Sequence, residues 1–173
     1  MKYRNECDPM KLSKKMENAL NEQINAEWYS SYLYLSMAVY FESMNLKGFA
    51  NWMHVQAHEE WDHGMKFLHY MQERGNPVSM KAIAKPQIAW KSALAVFQDS
   101  LKHEQKVTGL INRLSKMAKT EKDAATEIFL QWFISEQVEE EASVTEIIEK
   151  LKMAGDKGPG LMIVDRDLAQ RKA

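Results

Sequence analysis

Four long stretches of this chain repeat small or apolar side chains at alternating spacings of three and four, the spacing of a helix that buries one face. The first runs Met16, Leu20, Gln23, Glu27, Ser30 or Ser31, Tyr34, Ala38, Phe41. The second runs Phe49, Met53, Gln56, Glu60, His63, Phe67, Tyr70. The third runs Leu94, Phe97, Leu101, Glu104, Thr108, Ile111, and the fourth Leu130, Phe133, Gln137, Glu140, Val144, Ile147, Leu151. Breakers stand between the stretches: Asp8-Pro9, Asn45 to Gly48, Gly75-Asn76-Pro77 on past Pro86, Thr120 to Asp123, and Gly155 to Gly160. They bound four helices at roughly 10–43, 47–74, 92–119 and 123–154. The segment "LMIVDRDLAQR" after the last glycines fits a short fifth helix, roughly 160–171.

Two links are short, which makes helix one antiparallel to two and three antiparallel to four. The middle link, roughly 75–91, is long enough to cross the bundle and leave helices two and three parallel. Ile83, Ile88 and Trp90 within it predict a packed connection. The expected class is all-α, a four-helix bundle with one long crossover, in a single domain spanning 1–173. Scarce Gly (7) and Pro (4) against abundant Met, Leu, Ala, Glu and Lys agree with long helices.

Each stripe carries a glutamate near its middle. In bundle register Glu27, Glu60, Glu104 and Glu140 point inward at one height, and His63, three residues after Glu60, faces the same way. A single inward Glu is ordinarily a boundary residue whose charge reaches water. Four at one level would repel one another, and burying them ionised costs more than the net stability of a domain. Protonation or a compensating cation resolves this. Four carboxylates carry roughly the charge of two divalent ions. Di-iron carboxylate bundles take one Glu from each of two helices and a Glu-x-x-His from each of the other two. Here Glu60/His63 supplies one such pair, while helix four offers Gln137 and Glu140 in place of the second. Oxygen-rich sites with one imidazole favour iron or manganese over copper or zinc, with zinc expected to bind as an inhibitor. The acids of "SEQVEEE" (135–141) offer a further, wetter metal position beside Glu140. Tyr34, seven residues after Glu27, is placed either to bond a ligand or donate an electron, or simply to fill core with a satisfied hydroxyl.

A net charge of -1 argues against binding nucleic acid by bulk charge. No apolar run is long enough to span a bilayer, and the N-terminal residues lack a signal-peptide core. The lone cysteine, Cys7, has no intrachain partner, and a cytoplasmic protein is expected. His54, His58, His69 and His103 fall off the stripes and read as surface or interface residues. Helices one and two each carry a second apolar face, Trp28, Tyr32, Leu35, Val39 and Ala57, Trp61, Met65, Leu68. Such a face predicts burial against another copy of the chain.

Five segments together resemble a ferritin of the haem-free prokaryotic type: "NEQINAEWYSSYLYLSMA" (21–38), "GFANWMHVQAHEEWDHGMKF" (48–67), "KHEQ" (102–105), "FLQWFISEQVEEE" (129–141) and the tail "DRDLAQR". The resemblance covers nearly the whole chain. It implies that Glu27, Glu60 and His63 hold the first ferroxidase iron, with Glu60 bridging, that Glu104 serves the second, and that Gln137 lies beside it. It implies a third iron position at Glu59, Glu136, Glu139 and Glu140, with Glu140 also able to reach the second iron. Tyr34 and Trp132 match aromatic residues near the centre. It further implies a hollow homo-oligomeric cage, usually of 24 subunits, in which Fe(II) oxidised by dioxygen or peroxide is stored as ferric mineral. Haem is not expected: where bacterioferritin has a Met beside the helix-two Glu, this chain has Trp61. The chain lacks the cysteines of rubrerythrin, and its intrasubunit acids set it apart from the mini-ferritins. Two other readings compete, a small-oligomer di-iron or di-manganese oxidase or peroxidase without storage, and a metal-free structural bundle.

Overall fold

The computed structural model describes residues 11–172, so Cys7, the Asp8-Pro9 breaker and the expected helix start at Met10 lie outside the described residues. Among the described residues, five helices follow one another: α1 (Lys14–Ser43), α2 (Lys47–Glu73), α3 (Ala93–Glu121), α4 (Ala124–Ala154) and α5 (Pro159–Leu168). Local chemistry sets most of the starts. Ser13 accepts the Met16 amide at 3.0 Å, Ser92 the Ala95 amide at 3.2 Å, and Asp123 the Thr126 amide at 3.2 Å, each an N-cap that satisfies a donor the helix cannot. Helix α2 begins after Leu46, which offers no side-chain cap. Its first amides are met from elsewhere: Asp165 Oδ1, on α5, accepts Gly48 N at 2.9 Å and Phe49 N at 3.0 Å. A Cβ on Gly48 would collide with the Asp165 carbonyl, so the close seating of α5 requires glycine there. Helix α3 ends at Glu121, two residues beyond the expected end at 119, and is capped by Lys122 in the left-handed region (φ 57°). The α5 helix is shorter than the expected 160–171, and residues 169–171 leave it in a turn.

The link between α2 and α3 runs up the side of α1. Ser79 N donates to Asn21 Oδ1 at 2.6 Å, Asn25 to Ala82 O at 3.2 Å, Ser36 to Gln87 O at 2.6 Å, and Tyr40 to Trp90 O at 3.0 Å. Both partners rise in number together, so the link carries the chain from one end of the bundle to the other and α3 starts parallel to α2. The expectation that this link is packed holds for Trp90, whose ring lies 5.3 Å from Tyr40. It fails for Ile83 and Ile88, which are exposed in the single chain. Side-chain donors on α1 hold the link by its backbone, and that does not require its apolar side chains to turn inward.

The core is split in two. One apolar cluster joins the C-terminal half of α1 to the first turns of α2 and α3 and to the end of α4, through Phe41, Phe49, Met53, Phe97, Ile147 and α5. The other joins the start of α1 to the end of α2 and the far halves of α3 and α4, through Met16, Leu20, Phe67, Ile111 and Leu130. Phe67 and Phe133 stack at 4.1 Å in the second, Phe41 and Phe49 at 4.9 Å in the first. Each buried aliphatic or aromatic side chain contributes about 2 kcal/mol of transfer free energy. The layer between the clusters is polar: Gln23, Glu27, Ser30, Gln56, Glu60, His63, Ser100, Glu104, Gln137 and Glu140 are all buried. No helix among the described residues is long and apolar enough to cross a membrane.

Candidate metal centre

The polar layer takes one contribution from each long helix. Glu27 comes from α1, Glu60 and His63 from successive turns of α2, Glu104 from α3, and Gln137 with Glu140 from α4. All are at least nine-tenths buried. One ligand atom each from Glu27, Glu60 and His63 lie within 4.8 Å of one another, and the same holds for His63, Glu136 and Glu140. His63 belongs to both groups. Its Nδ1 lies 3.6 Å from Glu60 Oε2.

Amides and a phenol hold the carboxylates in place. Gln23 Nε2 donates to Glu27 Oε1 at 2.8 Å. Gln56 Nε2 donates to Glu60 Oε1 at 3.0 Å and to both oxygens of Glu140 at 2.9 Å. Glu104 accepts the Tyr34 hydroxyl and, at 3.3 Å, the Gln137 amide. These bonds account for Glu60, Glu104 and Glu140, but Glu27 Oε2 is buried with no hydrogen-bond partner. A buried carboxylate oxygen without a partner costs on the order of 1–3 kcal/mol or more. Glu27 belongs to the group formed with Glu60 and His63.

Electrostatics states the same imbalance. Burial, reinforced by Glu60, pushes the Glu27 carboxyl well above its usual range. Burial raises Glu60 to about 7, and burial with the charge of Glu60 raises Glu104 and Glu140 to about 8 each. Burial lowers His63, keeping its imidazole neutral and able to donate a lone pair. Burial, with Glu104 close by, holds the Tyr34 phenol well above its normal range, so it stays a proton donor. Four acids that resist ionising, beside an imidazole that resists protonation, are short of positive charge. A bound cation would bring the raised acids down together and favour the neutral imidazole that burial already favours at His63.

The sequence-predicted residues fall into three sets. Glu27, Glu60, His63, Glu136 and Glu140 converge. Glu104 and Gln137 lie in the same buried layer, bonded to each other, and Glu104 also accepts the Tyr34 hydroxyl. Glu59 and Glu139 stand apart: Glu59 pairs with Arg171, and Glu139 is exposed and in neither close group. Trp132 covers the outside of His63 at 5.4 Å, with Lys66 4.3 Å over its ring. A cleft between α3 and α4 lined by Thr108, Asn112, Gln137 and Glu141 opens onto the layer from outside.

Sequence reasoning left three contributors without a role. Gln23 and Gln56 lie on the stripes, four residues before Glu27 and Glu60. That repeated Gln-x-x-x-Glu spacing places amide and carboxylate on one helix face and was the available signal. Arg171 gave no local signal. His103 is a correction to the surface reading. It is largely enclosed, with its Nε2 2.7 Å from Ser30 Oγ and its ring against Tyr29 and Tyr34, and burial lowers it to about 4. On the second apolar face Trp28 and Trp61 stack at 5.2 Å. Trp28 Nε1 is buried without a partner, while Trp61, Tyr32, Leu35 and Val39 remain 40–56% exposed.

Four antiparallel-paired helices around an internal layer of four carboxylates and one imidazole define a four-helix bundle of the carboxylate-bridged metal type. A family model described as the ferritin-like domain matches residues 17–154. The chain belongs to the ferritin family. It is similar to a bacterial non-heme ferritin of Bacteroides fragilis, 43% identical over 160 residues that cover 92% of this chain and 99% of the relative. It is 41% identical to a bacterial non-heme ferritin of Staphylococcus aureus, covering 92% and 96%. Its structure resembles an open pore ferritin from the hyperthermophilic archaeon Archaeoglobus fulgidus, with a TM-score of 0.92 and 51% identity, covering 93% of this chain and 99% of that one.

Proposed function

We propose that Glu27, Glu60, His63, Glu104, Gln137 and Glu140 form a ferroxidase centre that takes two Fe(II) ions per chain as substrate. The chain, as a ferritin, is an iron-storing ferroxidase. The observation that carries the site is Glu27, which has a buried carboxylate oxygen, Oε2, with no partner and is grouped with Glu60 and His63. In this reading Glu60 bridges, Glu27 and His63 complete the first position, and Glu104 with Gln137 and Glu140 serves the second. Each Fe(II) gives up one electron, and the pair reduces one dioxygen to the level of peroxide, or one peroxide to water. Hard carboxylate oxygens favour Fe(III) over Fe(II) and so help drive the oxidation. Tyr34 holds Glu104 through a proton it does not release.

Glu140 stands where a second Glu-x-x-His would place its imidazole, and Gln137 where it would place its carboxylate. A neutral amide there holds Fe(III) less tightly and lets it move on. Glu136 and Glu140, sharing His63 with the inner group, form the next position outward, with Glu59 and Glu139 at its rim. The face carrying Trp61, Tyr32, Leu35 and Val39 is the surface by which copies of the chain associate. We assign the assembly to a closed cage of 24 subunits that encloses ferric mineral. Trp61 stacks on Trp28 where a haem ligand would have to stand, so no haem is assigned. We place the activity in the cytoplasm, whose reducing conditions supply Fe(II) and keep a lone cysteine as a thiol.

Anaerobic loading with Fe(II), followed by mixing with air in a stopped flow, tests the reading. Glu60→Ala and His63→Ala are expected to abolish the fast oxidation. Unchanged rates in both would overturn the assignment. Iron counted per particle of measured mass separates storage, at hundreds or more, from a di-iron oxidase holding two per chain.

A further inference from the structure

Arg171 lies three residues past the end of α5, yet it reaches the polar layer. Its backbone carbonyl is held by Asn51 Nδ2 at 3.0 Å, so the tail is fixed to α2. The guanidinium lies 4.3 Å over the Trp52 ring, with Nη1 3.4 Å from the Trp52 carbonyl. Its Nη2 donates to Gln56 Oε1 at 2.9 Å and forms an ion pair with Glu59 Oε2. The Gln56 amide thus has a cation at its oxygen and two carboxylates at its nitrogen. Turning that amide over would set its NH2 against the guanidinium and its oxygen against Glu60 and Glu140, so the orientation is fixed from both sides. Arg171 is thereby two hydrogen bonds from Glu60 and from Glu140, and one from Glu59.

We propose that Arg171 is a positioning residue that controls access of iron to the outer position. Its guanidinium occupies Glu59 as a tethered cation, so that a metal ion gains Glu59 only by displacing it. The same group holds Gln56, and through it Glu60 and Glu140, in register for the inner pair. Arginine suits the task. Its planar fork serves an amide oxygen and a carboxylate together while stacking on an indole, which a lysine ammonium cannot do. The proposal rests on the ferroxidase reading, because it takes Glu59 as part of the outer position.

The test uses the assembled protein, with Zn(II) as a redox-inert probe titrated calorimetrically and anaerobic Fe(II) as the second probe. Wild type is expected to take two ions per chain tightly and a third weakly. Arg171→Ala and Arg171→Gln are each expected to tighten the third step by about tenfold or more, the worth of one charge-assisted hydrogen bond. The first two steps should move less. Arg171→Lys, which keeps the charge, should bring the third step back toward wild type. In a Glu59→Gln background the third step should not respond to Arg171→Ala. A purely structural role would lower the melting temperature and leave the third step alone, and that result overturns the proposal, as does an equal response with and without Glu59. Failure of the ferroxidase reading looks different: the first two steps would then survive Glu60→Ala and His63→Ala.

Discussion

His63 Nε2 lies 3.9 Å from Glu136 Oε1, while the other nitrogen of the same ring faces Glu60. One imidazole therefore stands between the inner carboxylates and the outer ones. Moving the ring proton from one nitrogen to the other exchanges the lone pair between them without moving the helix. His63→Ala should lose the first metal position and slow the fast phase of Fe(II) oxidation by at least about a hundredfold. Glu136→Gln should leave that phase within about threefold of wild type and delay the passage of ferric iron out of the centre. Stopped-flow absorbance followed over two time windows separates these outcomes.

The raised carboxyls make the metal-free protein sensitive to base. Glu60, at about 7, and Glu104 and Glu140, at about 8, bind protons in the folded state that the unfolded chain has already lost above its carboxylate range. Their contribution is full below the unfolded value and disappears as pH rises through the folded one. His63 and His103 are lowered and slope the other way, but only below about pH 6.5. Between pH 6.5 and 8 the carboxyls act alone. Metal-stripped protein should lose stability across that window, by on the order of 1 kcal/mol per raised carboxyl. Thermal melts at half-unit steps should display it, and Glu104→Gln combined with Glu140→Gln should flatten it. Saturating Zn(II) should remove the slope and release protons on binding.

Tyr34 donates its hydroxyl to Glu104 inside a fully buried site. Tyr34→Phe leaves that carboxylate one donor short and should destabilise the metal-free protein by about 1–3 kcal/mol. If the hydroxyl only positions Glu104, the number of Fe(II) bound per chain stays the same and the oxidation rate falls less than in Glu104→Ala. A drop as large as in Glu104→Ala, with binding intact, would point instead to electron donation by the phenol.

Gly64 faces the Trp28 indole so closely that a Cβ would collide with its ring nitrogen. Gly64→Ala must push Trp28 away and break its stack with Trp61. The cost should be about 1–3 kcal/mol. Because these rings stand on the face assigned to subunit contact, sedimentation should register a loss of assembly at concentrations where wild type stays whole.

Replacing Gln137 by glutamate tests the outward path. A further carboxylate beside Glu104 should bind the second metal about tenfold more tightly or better and slow its release to the mineral, so oxidation should stall after two ions per chain. Repeated additions of Fe(II) with oxygen-consumption recording would reveal the stall.

Much of this was legible in the chain. The stripe through Phe49, Glu60, His63 and Tyr70 fixes which way α2 faces, because a helix has one register and every position on that stripe is buried. Ser92 and Asp123 mark helix starts by their own hydroxyl or carboxylate. The inward placement of four glutamates followed from the same arithmetic. What escaped depended on contacts distant in sequence. Arg171 meets Glu59 across 112 residues, and no periodicity relates a tail to a helix that folds beneath it. His103 lies one step off its stripe, but Ser30 on the neighbouring helix leaves room for the ring. Ile83 and Ile88 mislead for the opposite reason. Their side chains imply burial, while the donors that hold the link, Asn25 and Ser36, ask only for its carbonyls.

The cap on α2 has a consequence for how the molecule is made. The helix that carries Glu60 and His63 has no side-chain cap of its own, and the carboxylate that serves Gly48 arrives 117 residues later in the chain. Asp165 is made only after α1, α2, α3 and α4 have all been translated. Until then the first amides of α2 lack this carboxylate, so the helix that carries Glu60 and His63 gains its N-terminal partner only when α5 docks. The start of the helix that carries Glu60 and His63 is thus tied to a segment 117 residues further along the chain, and loss of the Asp165 carboxylate would be felt first at Gly48 and Phe49.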